Sequence, residues 1–128
     1  MGSASRKPLA KQAIISLAPR DTLVVTMDSF ERLLWWLFAG SAGAKTRAHV
    51  LFSLKEQPKN AQQLSQSLHL DYTTVRHHLR VLETNRIVLA EGDKYGRVYF
   101  VSEMMESHWS TLEEILKRTK VKMKELKG

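Results

Sequence analysis

The run NAQQLSQSLHLDYTTVRHHLRVLETN, from Asn60 to Asn85, holds two helix starts too close together to leave much choice of fold. Asn60 stands three residues before Gln63. At that spacing each side chain can satisfy the other residue's exposed N–H. Asp71 offers a similar cap to the segment that follows. Ala61, Leu64 and Leu68 give the first helix an apolar side. Val75, Leu79 and Leu82, at i, i+4 and i+7, give the second one. Only His69 and Leu70 lie between them. Two amphipathic helices on so short a link must cross, and the expected unit is a helix-turn-helix.

The flanking segments extend this unit. RIVLAE (Arg86 to Glu91) and RVYFVS (Arg97 to Ser102) are β-rich and enclose the loop GDKYG, a hairpin signature. Upstream, Asp28 and Glu31 form a second capping-box pair ahead of FERLLWWLFA, which stops at Gly40. After the GSAGA joint a helix is expected from Lys45 to Glu56, with Ala48, Leu51, Phe52 and Leu54 inward. Residues 1–27 are a basic tail with a short extended segment, TLVVT. Residues 28–101 are the helix-turn-helix domain with its preceding Trp-rich helix, and residues 102–128 a long terminal helix. The expected class is mainly α with a small β component.

Two helices raise the question of assembly. In the last one Met105, Trp109, Leu112, Leu116, Thr119, Met123 and Leu126 recur at alternating steps of four and three, a heptad seam. Such a helix is marginal alone, so the seam is covered either by its own domain or by a partner helix. LLWWLFA is apolar on nearly every side, so it is buried within one subunit or between two. The preferred expectation is a homodimer, with Met105, Trp109, Leu112, Leu116 and Met123 at the interface and Trp35 and Trp36 as the other candidate surface. Two-fold symmetry would present two copies of the second helix of the motif to successive grooves of a duplex.

Composition narrows the partners. A net charge of +7 favours a polyanion. The chain has no cysteine, which excludes disulfides and thiolate metal sites and fits a cytoplasmic location. No apolar run reaches the length of a membrane-spanning helix. No phosphate loop, nucleophile elbow or carboxylate pair stands out, so no enzyme and no cofactor are expected. His77 and His78 are helix neighbours that point about 100° apart and do not chelate one ion. No metal site is expected.

The outward face of the second helix carries Thr73, Arg76, His77 and Arg80, with Tyr72 and Thr74 near its start. Arginine can pair with guanine O6 and N7 in the major groove, and hydroxyls near a helix start can reach phosphates or base edges. Taken alone, this is equally well a solvated face. The hairpin that follows, with Lys94, Tyr95 and Arg97 at its tip, shifts the balance. A helix-turn-helix followed by a two-stranded basic hairpin is a winged helix-turn-helix.

The run NAQQLSQSLHLDYTTVRHHLRVLETNRIVLAEGDKYGRVYFVS resembles the core of ArsR-type transcriptional regulators. It is particularly similar to archaeal members, in which a Trp-rich helix such as ERLLWWLFAGS precedes the domain. The resemblance spans about Phe30 to Trp109. It implies that Tyr72, Thr73, Thr74, Arg76, His77 and Arg80 form the recognition helix, and Lys94, Tyr95 and Arg97 the wing. Two departures matter. The cysteine motif of the metal-sensing members is absent here, so thiolate sensing is not implied. His69 stands where such turns often carry glycine; a non-glycine residue can adopt the left-handed conformation at modest cost, histidine among the more tolerant.

The expected function is a sequence-specific, dimeric regulator of transcription that binds double-stranded DNA, with an unknown effector. The alternatives are an interaction module of the transcription machinery and a non-specific, chromatin-type DNA binder.

Overall fold

The computed structural model describes residues 28–94 and 96–119. The basic tail with TLVVT, Tyr95, Met123 and Leu126 lie outside the described residues. The chain divides into two compact units, Met1–Leu33 and Leu34–Gly128.

Of the first unit, residues 28–33 are described. Asp28 N–H donates to Glu31 Oε1 at 3.0 Å, and Glu31 N–H donates to Asp28 Oδ1 at 2.8 Å. This is the capping box expected there. It starts helix α1 (Ser29–Phe38), which closes where Ala39 and Gly40 both donate N–H to Trp35 O. The helix is less uniformly buried than its composition suggests. Leu34, Leu37 and Phe38 are buried, whereas Trp36 is 53% exposed.

In the second unit, α2 (Ala44–Glu56) follows a left-handed Gly43 and forms the centre of the core. Ala48, Val50, Leu51, Phe52 and Leu54 are all buried, so neighbours cover it on more than one side. Then come β1 (Lys59–Asn60), α3 (Ala61–Leu68) and α4 (Tyr72–Thr84). Asn60 and Gln63 make the reciprocal capping box at 2.8 Å in each direction, and Asp71 accepts from Thr74 N–H at 3.2 Å. His69 does adopt the left-handed conformation, at φ 57°. The next amide, Leu70 N–H, donates back to Ser65 O at 3.0 Å, and Ser65 Oγ donates to Leu70 O at 2.6 Å. These bonds hold the turn without glycine. Ala61, Leu64, Val75, Leu79 and Leu82 are buried as their spacing requires.

α4 closes on a second left-handed non-glycine, Arg86 at φ 62°, with Ile87 N–H on Leu82 O at 2.9 Å. The hairpin strands are β2 (Val88–Glu91) and β3 (Val98–Val101). The sheet has three strands in the order β1-β3-β2, all neighbours antiparallel. β1 was not expected. Its two residues pair Lys59 with Tyr99 and Asn60 with Val98, which ties the start of α3 to the base of the wing.

The expected long terminal helix is broken. Its described part is α5 (Glu103–Ser107) and α6 (Trp109–Arg118), with His108 between them at φ −112°, ψ 17°. The break is locally stabilised. His108 N–H donates to Met105 O at 3.0 Å, His108 Nδ1 to Met104 O at 2.9 Å, and Ser107 Oγ to Met104 O at 2.8 Å. Much of the described part of the seam is also buried within the chain. Met105, Leu112 and Leu116 are fully buried, and Trp109 packs on Phe52 with ring centroids 5.1 Å apart. Met105, Leu112 and Leu116, expected at a dimer interface, therefore have no surface left to offer a partner. No helix among the described residues is long and apolar enough to cross a membrane.

Candidate nucleic-acid interface

α4 presents two faces of opposite character. On the front, Thr73, His77 and Arg80 are exposed, Tyr72 is 47% exposed, and Thr74 and Arg76 are half-buried. Arg76 and Arg80 have no hydrogen-bond or ion-pair partner among the described residues. Thr74 keeps its hydroxyl available while its amide is engaged by Asp71.

The wing meets this face. Gly92 takes φ +103°, and a Cβ there would come within 2.9 Å of Gly96 O, so the turn needs glycine. Gly96 N–H donates to Asp93 Oδ1 at 2.9 Å. Lys94 and Arg97 then line the same cleft as Arg76 and Arg80, with Glu83 and Asp93 as its acidic members. A second hollow continues past Tyr72 to Asn60, Ala61 and Gln62 at the start of α3. Gln62 is an exposed polar residue that sequence reasoning did not single out. Its only signal is its place just after a helix cap.

Arg97 differs from Arg76 and Arg80. Its Nη2 donates to Glu83 Oε2 at 3.0 Å, which joins the wing to the last turn of α4. This bond, and the charge of Glu83 behind it, raise the Arg97 pKa above its ordinary value. Arg97 was expected to be a phosphate contact like Lys94. In the structure its charge is already answered within the protein.

The back of α4 carries His78, only 6% exposed. The left-handed Gly43 makes room for it. A Cβ at Gly43 would lie 2.8 Å from His78 Cε1. Beside it Arg47 is buried, with Nη1 donating to Leu37 O at 2.6 Å and Ser41 Oγ at 3.0 Å, and Nη2 to Ala42 O at 3.3 Å. Arg47 therefore closes the end of α1 and the joint after it. Burial lowers its pKa. Burial, then the charges of Arg47 and His77, lower the pKa of His78. Lys59 is likewise withdrawn from the surface, its Nζ donating to Ser53 O at 2.7 Å near the end of α2.

Among the described residues no group of three or more histidines or carboxylates could hold a metal ion.

Residues 44–89 match the family model described as bacterial regulatory protein, arsR family. The match runs from the start of α2 through the helix-turn-helix into β2. No curated protein matches the chain. Among solved structures, AbfR in a disulfide-formed state superposes with a TM-score of 0.54 at 18% identity, over 93% of this chain and 86% of that one. A probable transcriptional regulator from Pseudomonas aeruginosa gives 0.52 at 14%, over 84% and 89%. The adhesin competence repressor AdcR from Streptococcus pyogenes gives 0.50 at 15%, over 77% and 74%. At these identities the likeness is one of fold. Residues 44–89 are similar to the arsR-family model, and the chain as a whole has a winged helix-turn-helix fold.

Proposed function

We propose that this protein is a sequence-specific DNA-binding transcriptional regulator that acts as a homodimer. α4 enters the major groove, where Arg76 and Arg80 read base edges, while Tyr72, Thr73, Thr74 and His77 fix its position. The wing, with Lys94, Tyr95 and Arg97, lies on the phosphates or in the minor groove. The observation that carries this reading is the cleft between α4 and the wing. Four basic side chains converge there from two elements, and Arg76 and Arg80 have no partner among the described residues. A merely solvated face gives no reason for the hairpin to bring further cations to it.

The homodimer uses a different surface from the seam. Trp36 is 53% exposed on α1, beside the half-buried Trp35, and a large exposed aromatic is what an interface covers. Sedimentation of the wild type and Trp36→Glu at micromolar concentration tests this. A wild-type dimer that the substitution splits supports it, and a mutant dimer unchanged from wild type refutes it.

Selection of bound sequences from random duplex DNA at near-physiological salt tests the function itself. The expected result is an enriched inverted repeat, which reports both base reading and two-fold symmetry. Binding without enrichment would leave a non-specific binder, and no binding would overturn the reading.

A further inference from the structure

The cleft between α4 and the wing contains an anion of its own. Arg76, Arg80, Lys94 and Arg97 face it, and Glu83 places a carboxylate on Arg97 at 3.0 Å. Asp93, the other acid there, has one oxygen committed to the Gly96 amide in the wing turn. Glu83 has no such local duty. It comes from α4, fourteen residues away in sequence, and among the described residues its carboxylate bonds to the wing through Arg97. Both partners stay partly open to solvent, at 35% and 41% side-chain exposure, so an incoming group can reach the pair.

A carboxylate and a phosphodiester make the same demand of a guanidinium. Each is a singly charged anion whose oxygens accept from the planar N–H fork. We infer that the cleft is a backbone-phosphate site of the protein–DNA complex and that Glu83 is its built-in competitor. This rests on the DNA-binding reading above. In the free protein Glu83 holds the place that a phosphate takes in the complex. DNA that engages Arg97 has to displace that carboxylate or sit beside it, and both oppose binding. The opposition does not depend on base sequence, because the phosphate is the same at every step. Glu83 therefore weakens binding to any duplex through the backbone and leaves discrimination to Arg76 and Arg80. It sets the overall affinity for duplex DNA without touching a base, and leaves the ratio between sites unchanged.

The proposal makes a signed prediction about salt. A cation that newly neutralises one phosphate steepens the fall of log affinity with log salt by about 0.9. Glu83→Gln removes the charge and keeps an oxygen that can accept from Arg97, so the wing keeps its anchor. On random duplex DNA this variant should bind more tightly than wild type, with a slope steeper by about 0.9. Its advantage should shrink roughly threefold to fourfold between about 50 and 200 mM salt. In an Arg97→Ala background the same substitution should leave the slope unchanged, because the released cation is gone.

A thermal melt of each variant first establishes that it is folded. The inference is overturned if Glu83→Gln binds with the wild-type slope, or more weakly, since Glu83 then serves only to hold the wing. It is also overturned if the slope steepens equally without Arg97. A wild-type protein that binds no duplex even at low salt refutes DNA binding itself. Wild-type binding with an unaltered slope in Glu83→Gln refutes only the role of Glu83.

Discussion

His77 and His78 are neighbours on α4, yet they belong to different parts of the molecule. His77 stands in the exposed row with Thr73 and Arg80, while His78 is pressed against Gly43 and the buried Arg47. The arginines divide in the same way. Arg76 and Arg80 have no partner among the described residues, whereas Arg47 is shared among two carbonyls and a hydroxyl. The lesson is that positive charge in this chain has two uses. Behind α4 it closes helix ends and joints, and in front, at Arg76 and Arg80, it stays available. Net charge counts both together, so +7 overstates what is offered to a polyanion.

The contrast can be broken most severely from behind. Arg47→Met keeps much of the side chain's bulk and removes every donor, leaving the carbonyls of Leu37 and Ala42 without it. Hydrogen bonds from charged groups contribute about 1.5–3 kcal/mol each, and buried acceptors left unpaired add to the loss. We expect destabilisation of about 3 kcal/mol in denaturant unfolding, from the lower end of that range for more than one bond. The folded variant should keep the wild-type salt dependence of DNA binding. A loss of slope with unchanged stability would place Arg47 on the front.

Gly43→Ala is the next test. It puts a side chain at φ +81° and a Cβ 2.8 Å from His78 Cε1. We expect a cost of about 1–2 kcal/mol in stability, more than a simple loss of glycine freedom would give. A variant as stable as wild type would show that the joint moves away from His78 freely.

A smaller effect concerns pH. Burial, aided by Arg47 and His77, holds the His78 pKa below its ordinary value of 6.5. Below 6.5 the unfolded chain takes up a proton there more readily than the folded one. The contribution is therefore fully present above that pH and declines as pH falls through the window between the unfolded and the lower folded value. His78→Gln should flatten the stability profile in that window. An unchanged profile would mean that the His78 ring is protonated as readily in the folded chain as in the unfolded one.

The two faces were not equally legible. The caps at Asp28, Asn60 and Asp71 are local hydrogen bonds between residues three apart, so the sequence displays them directly. The stripe Val75, Leu79 and Leu82 is local too, and with the short link it defines the helix-turn-helix and the face opposite. Features made across the chain left no such mark. Glu83 and Arg97 meet from a helix and a hairpin, and β1 is two residues recognised only by pairing with β3. Lys59 and Arg47 look like surface cations until the carbonyls they close are seen. The heptad seam misled for a related reason. Alternating steps of four and three state that a helix has one apolar side, but not whether that side faces a partner or its own domain. Met105, Leu112 and Leu116 took the second course. The break at His108 rests on bonds to Met104 and Met105 that any helical periodicity overlooks.

The central claim is that the front of α4 reads base sequence while comparable charges elsewhere do not. The direct measurement is the affinity of wild type and Arg80→Ala for a selected duplex and for random duplex, at one salt concentration. Arg80→Ala should lose about 1–3 kcal/mol on the selected duplex and much less on the random one, with its melting temperature unchanged. An equal loss on both duplexes would make Arg80 a phosphate contact and contradict the account.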